Sequence, residues 1–500
     1  MQEFTPDGAE YEVDYLTCAL RLAESLHGEA HLEITEAIAL HYVETGELER
    51  GVELAEQIPD VYARDSLLAV ITAKAVASEE EDYATELLET IEDPILNNSA
   101  IEKMAIEFAR RGEFDAALGL TDQLADNASA LGTIAALYWQ SGQKNEALEL
   151  ARSIEFPQES AIALVQLSRL SDDNEESLNL LAEARSVAQD IDSAELKVFA
   201  LIAIASGYEE RADREQSLET LNRAFEVCED FESGNLVGLS ADFARDEALM
   251  EIVQGLLRLQ DLSKATDVAE AIDDRILFAR ANLGLAVARG KDSQPSEAAE
   301  YLDEAKAVIV ELQPYGAQEA EVLDALIIDL AMSYANYKNY DEARRIIHSL
   351  TSDEKQRLVL NELGKLCGRA GDDRESSEIA EDLGSPYDKA RYWLGIYDSS
   401  SSQPELSESA MAKALANAED VEQPVEKAEM FTGLALRFAK SEQSPQAENF
   451  FLTATNAAIL IDGSFLKARA FLRLAKASQD AGRNLNQNEQ RLLEQLMARL

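Results

Sequence analysis

Four histidines, three cysteines and a dense population of carboxylates are the groups in this chain that could do chemistry. His27 and His31 stand four apart, the spacing that on a helix offers two imidazoles to one metal ion. Gly28 between them favours a turn instead, and no H-E-x-x-H occurs. Glu79-Glu80-Glu81-Asp82 could hold a cation, but such a run reads more simply as a solvated corner. Gly290-Lys291-Asp292-Ser293 is not a phosphate loop, because the upstream glycine and the preceding strand are missing. Cys18, Cys228 and Cys367 are far apart and form no C-x-x-C pair. They read as small buried apolar residues of a reducing compartment. No serine or cysteine has the partner set of a nucleophile. The expectation is a protein that is not an enzyme and uses no metal and no cofactor.

The charge balance narrows the partner. The chain of 500 residues carries 44 basic and 96 acidic residues, a formal net charge of -52. Nucleic acid is excluded on this reading, since phosphate binding needs Lys and Arg to displace counterions. An anionic membrane surface is excluded for the same reason. No apolar run approaches the roughly 18 residues of a membrane span. The start, Met1-Gln2-Glu3-Phe4-Thr5-Pro6-Asp7, is the opposite of a signal peptide, so a cytoplasmic location is expected. The acid either steers a basic partner or serves general solubility, perhaps that of a salty cytoplasm. Its spread along the whole chain favours solubility.

The elements that position these groups recur. Thirteen corners fall at Gly46, Ser78-Glu79, Gly112, Gly142, Asp172, Ala212, Gln260, Ser293, Lys338, Gly371, Ser402, Glu442 and Gly482. Eight residues before them stand Ile38, Ile71, Met104, Ile134, Leu164, Ile204, Ile252, Leu285, Leu330, Leu363, Leu394, Leu434 and Leu474. All are long and apolar. The next residue is Ala or Gly in ten of the thirteen. Five places after the corner a small residue returns, from Gly51 and Ala84 to Ala447. A long knob beside a small residue is what lets two helices approach and interlock. Self-similarity at 30 to 48 residues predicts stacked helical hairpins, each covering its neighbour's apolar face.

Within Ala331-Met332-Ser333-Tyr334-Ala335-Asn336-Tyr337-Lys338-Asn339-Tyr340-Asp341-Glu342-Ala343 the small, aromatic and Ala positions match the tetratricopeptide repeat. Ala105 with Phe108, Gly112, Phe114 and Ala117 matches too, as do Ala135 with Tyr138, Gly142 and Ala147, and Ala435 with Phe438 and Ala447. The chain resembles a degenerate, TPR-like α-solenoid, although its spacings depart from the family's unit of about 34 residues. The resemblance implies an all-α, right-handed solenoid of about thirteen hairpins with terminal capping helices. One domain is expected over residues 9–500, with 1–8 a disordered tail. A closing helix is expected from Asn486 to Leu500, with Leu492, Leu493, Leu496 and Leu500 at helical spacing. A second is expected around Glu10 to Leu26. Loops are expected at Asp230–Asn235, Gln313–Gly316, Asp398–Pro404 and Glu419–Pro424.

The family lines its concave face with the first helix of each hairpin, so residues two to three before each corner are expected to face a groove. Trp139 is such a residue: a hot spot if exposed, core if it packs on its neighbour. Trp393 reads as core. Gln140, Met332 and Asn336 belong to the same candidate groove. Arg110 and Arg369, with Arg258, Lys291 and Lys440, form either a basic stripe for an acidic peptide or cations that favour helix C-termini. The expected function is a non-catalytic scaffold or adaptor that binds a protein or peptide. The alternative is a ligand- or partner-sensing regulatory subunit that controls a separate effector.

Overall fold

The computed structural model describes residues 13–228, 241–291, 295–312, 316–370, 373–400, 403–440 and 444–500. The expected tail 1–8, the Asp230–Asn235 loop, most of the loop at 313 and the corners Ser293, Gly371, Ser402 and Glu442 lie outside them. Among the described residues there are 27 α-helices and no strand. One leading helix, Tyr15–Ala23, is followed by thirteen pairs, beginning with Glu29–Thr45 and Leu48–Ala55 and ending with Ser464–Asp480 and Gln487–Met497. The architecture is a TPR-like array of stacked α-hairpins.

The corners explain why the pairs form. Gly46, Gly112, Gly142 and Gly482 have φ of 86°, 83°, 87° and 60°, the left-handed conformation that glycine adopts freely. Glu79, Ala212, Gln260 and Lys338 take the same conformation without being glycine, at φ of 58° to 66°. At each of the eight the same two bonds close the first helix. At Gly46, for example, its N–H donates to Val43 O at 3.2 Å and the Glu47 N–H donates to Tyr42 O at 2.8 Å. These bonds satisfy carbonyls that the helix end would leave orphaned. Asp172 turns differently, with extended Ser171 and Asp173 and no left-handed residue.

The repeat column eight before the corner is the core. All thirteen of its residues are buried, none more than 5% exposed. Burying each contributes about 1.5–3 kcal/mol. The small residues beside them set the helix spacing: a Cβ added at Gly51 would stand 2.7 Å from Val43 Cγ2. Ser217 Oγ, five after its corner, donates to Ala205 O at 2.8 Å, so two backbones meet where larger side chains would hold them apart.

The helices gather into two compact units. One comprises Ile101–Leu366. In it the first helices Ala128–Gln140, Pro157–Leu170, Ala194–Glu210, Ala241–Arg258, Arg275–Lys291 and Ala317–Asn336 lie side by side in chain order. The other comprises Met1–Ala100 and Cys367–Leu500, so it unites the two ends of the chain. Tyr15–Ala23 packs on Ser464–Asp480 and touches Gln487–Met497, and Glu29–Thr45 also packs on Ser464–Asp480. Both expected terminal helices are present, each shorter than expected; Tyr15–Ala23 packs on the opposite end of the chain, whereas Gln487–Met497 packs both on Ser444–Leu460 of its own end and on Tyr15–Ala23. Leu493 and Leu496 are buried, whereas Leu500 lies beyond the helix and is 44% exposed.

Candidate functional site

Trp139 is not in a groove. It is 5% exposed, and Lys144 of its own hairpin places Nζ 4.6 Å from its ring centroid. The residue three before the corner is turned about 100° from the residue two before it, and at Trp139 that turn carries it into the core, whereas Arg169 and Gln479 at the same register are exposed. Val43, Val76 and Ala109, at the same register, are buried as well. Two before the corner the side chains do face outward: Arg110, Gln140, Asn336 and Arg369 are exposed, and Met332, six before its corner, is half-buried. Arg369 belongs to the unit holding the chain ends, the other four to Ile101–Leu366. Arg110 pairs with Glu107 on its own helix, and Arg258 Nε lies 2.9 Å from Glu209 Oε2 of the preceding hairpin. Trp393 is core, 6% exposed, beneath Lys413 Nζ at 4.0 Å.

The metal and nucleophile candidates are placed apart. Gly28, at φ 62°, separates His27 from the helix that carries His31, whose Nδ1 lies 3.0 Å from Ala23 O. Among the described residues no three His, Cys, Asp or Glu groups come close enough to hold a metal ion. All three cysteines are buried, and burial pushes the Cys18 and Cys228 thiols up to about 12.

Positions two, six, nine and thirteen before the corner form one stripe along each first helix. In Ile101–Leu366 that stripe carries the acids Glu159, Glu210, Glu247, Glu251, Asp329 and Glu362. Against them stand Lys103, Arg110, Arg258, Arg280, Lys291 and Lys365. The stripe is balanced in a chain whose acids outnumber its bases 96 to 44. Between the charges lie Gln140, Gln166, Gln254, Asn336 and Met332, with Phe199 39% exposed. Partial desolvation by its neighbours raises the Asp329 carboxyl above its ordinary value, and Arg280 works against that rise.

Two arrangements that sequence reasoning missed use the most reactive-looking groups. Asp65, Asp246 and Asp324 stand fourteen before their corners, each fully or nearly fully buried. Asp65 Oδ2 accepts the backbone N–H groups of Glu92 and Asp93 at 2.8 and 2.7 Å. Asp246 Oδ2 accepts those of Asp273 and Asp274 at 3.1 and 2.6 Å, and Asp324 accepts from Thr351 and Lys355. Each carboxylate thus fastens the connection into the next hairpin. Burial alone would raise Asp65, but the Asp93 N–H, Arg64 and the Glu92 N–H overrule it and hold the carboxyl below its ordinary value. At Asp246 burial prevails and the value is raised. The repeated Ala63-Arg64-Asp65 and Ala244-Arg245-Asp246 triplets at one register were the available signal.

The second arrangement joins the chain ends. Tyr15 Oη donates to Glu489 Oε1 at 2.9 Å and lies 2.7 Å from Thr455 Oγ1. Glu489 is fully buried. It also accepts from Arg483 Nη1 at 3.0 Å, from Arg483 Nη2 and from the Asn486 N–H at 2.8 Å. Arg483 further donates from Nε to Glu448 Oε1 at 3.0 Å and lies over the Phe451 ring, 4.3 Å from its centroid. Burial, then the Glu489 charge, pushes the Tyr15 phenol far above its ordinary range. Every group in the cluster is satisfied by another, so it holds helices together rather than offering a reactive atom.

No protein-family model matches the chain, and no curated protein is similar to it in sequence. Solved structures similar to it include Ton1535 from Thermococcus onnurineus NA1, at 15% identity and a TM-score of 0.25, covering 72% of this chain and 98% of that one. The apo form of RapI is similar at 12% identity and 0.33, with the same coverage. The human IFIT1 dimer with PPP-AAAA is similar at 11% identity and 0.30, covering 88% and 99%. At these identities and scores the likenesses carry no argument about what this chain binds.

Proposed function

We propose that the chain is a non-catalytic scaffold that holds a protein or peptide partner on the first-helix stripe of Ile101–Leu366. The observation that carries this reading is a division of labour. Buried carboxylates, the buried tyrosine and many of the bases are engaged in fastening helix to helix, while the stripe exposes Gln140, Gln166, Asn336 and Phe199 and leaves Met332 half-buried. Amides between balanced charges suit the polar backbone and mixed side chains of a polypeptide. Gln140, Met332, Asn336 and Arg110 stay in the proposed contact set; Trp139 leaves it. The charge balance supports a partner that is not selected for being basic. Affinity purification with chemical crosslinking tests the reading. Crosslinks to the partner should map to residues two and six before the corners, and Met332→Glu with Gln140→Glu should cut recovery about tenfold at unchanged melting temperature. Crosslinks confined to the second helices would refute it.

A further inference from the structure

A cavity of about 630 Å³ opens between the hairpins that turn at Asp172 and Ala212, a volume suited to a small ligand. Leu201, Ala188 and Thr220 are buried in its wall. Its charged residues are Arg185, Lys197, Glu219, Arg223 and Glu226. Four of these are paired. Arg185 Nη1 lies 3.5 Å from Glu219 Oε2 and donates to Gln216 at 2.7 Å, and Arg223 Nη1 lies 2.7 Å from Glu226 Oε2. Lys197 is half-buried, and no described residue pairs with its ammonium. Asn222 supplies a second donor. Its Oδ1 accepts from Lys264 Nζ at 2.9 Å; an ammonium can only donate, so the amide oxygen is fixed there and the Nδ2–H groups are left for the cavity. Thr220 spends its hydroxyl proton on Gln216 O at 2.7 Å.

We propose that this cavity binds a monocarboxylate, with the Lys197 ammonium as counter-ion, the Asn222 amide as second donor and Leu201 and Ala188 against its hydrocarbon part. This goes beyond the scaffold reading and does not depend on it. A cation is disfavoured because both carboxylates already face guanidinium groups. A dianion is disfavoured because Lys197 is the one cation lining the cavity that no described carboxylate pairs; Lys264, outside the lining, is held on the Asn222 amide oxygen. The chain's distant acids oppose an anion little, since charges beyond about 8 Å are screened at physiological salt.

The test titrates the full chain with butyrate, butyramide and butylamine, read by calorimetry and saturation-transfer NMR. Butyrate should bind, and the neutral and cationic isosteres should bind at least about tenfold more weakly. Lys197→Met should weaken butyrate by about tenfold or more, and Lys197→Arg should restore it, both at the native melting temperature. A capped Ala-Glu-Ala peptide and its Gln counterpart identify the source. Preference for the glutamyl peptide over butyrate places the carboxylate on a polypeptide, and the reverse places it on a free acid. Equal binding by Lys197→Met, equal binding of butylamine, or no carboxylate bound at about 50 mM would overturn the proposal.

Discussion

Replacing Arg483 by Met should loosen the junction of the chain ends more than any surface change near it. Glu489 is fully buried and Arg483 is its only cationic partner among the described residues. The variant leaves that carboxylate with only Tyr15 and the Asn486 N–H as donors. An uncompensated buried charge of this kind costs about 3–5 kcal/mol. In opening equilibria that is roughly a hundredfold to several thousandfold. Glu448, the other partner of Arg483, is partly exposed and can be hydrated, so it adds little. The double variant Arg483→Met with Glu489→Leu removes both charges and fills the space with apolar atoms. Tyr15 keeps Thr455, and the double variant should recover most of the loss. A global denaturation curve would register the loss without assigning it to the junction, because stacked repeats can open separately. Hydrogen exchange in Tyr15–Ala23 reads it directly. If the double variant exchanges as fast as Arg483→Met alone, the cost does not come from the stranded charge and the reasoning fails.

Other predictions follow from single residues. Trp139→Ala should cost about 3–5 kcal/mol of stability, measured by urea melts, because the indole is core. Gln260→Gly and Lys338→Gly should each gain about 0.5–1 kcal/mol by relieving a left-handed non-glycine corner, while Gly112→Ala should lose a similar amount. Asp65→Asn and Asp246→Asn should separate by pH. The folded Asp65 value is depressed, so its contribution is present above the unfolded value of about 4 and is lost as pH falls through the folded one. The folded Asp246 value is raised, so its contribution is lost as pH rises through it. Urea melts on acidification should show the Asp65→Asn deficit shrinking and the Asp246→Asn deficit growing; parallel profiles would contradict the two environments.

The thirteen-fold pattern was legible because each repeat must bury a long residue against a small one, and that demand is met locally. Ile38-Ala39 and Leu434-Ala435 announce the same contact without knowledge of any other part of the chain. Corners were legible where glycine marks them and also where it does not, since Glu79 and Lys338 keep the register that Gly46 sets. Which side of the first helix faces outward was half legible. A shift of one residue separates buried Trp139 from exposed Gln140, and the Trp139 column, which holds Val43 and Val76 but also exposed Arg169 and Gln479, does not by itself name the buried side. The meeting of Tyr15 with Glu489 was not legible. Their contact spans 474 residues of sequence, and nothing in either segment names its partner. The Lys197 cavity escaped for a related reason. It is defined by which neighbouring charges are already paired, a property of packing rather than of spacing.

Net charge and binding surface are separable in such an array. A hairpin offers four kinds of position: core, close-approach, outward on the first helix and outward on the second. Only the first two are constrained by stacking, so acid can accumulate on the others without disturbing the repeat. It accumulates unevenly here. Corners and second helices carry Glu80-Glu81-Asp82, Glu175-Glu176 and Asp341-Glu342, whose placement in first turns also suits the helix dipole. Bases on the second helices reach sideways to acids of the next hairpin's second helix: Lys144 to Glu176 at 2.6 Å, Arg152 to Glu183 at 2.6 Å and Lys306 to Glu342 at 3.0 Å. Exposed pairs of this kind stabilise little singly, but they place each scarce cation where it offsets like-charge repulsion between adjacent hairpins. On the scaffold reading, the first-helix stripe, left balanced, is then where selectivity would rest on shape and hydrogen bonding rather than on net charge.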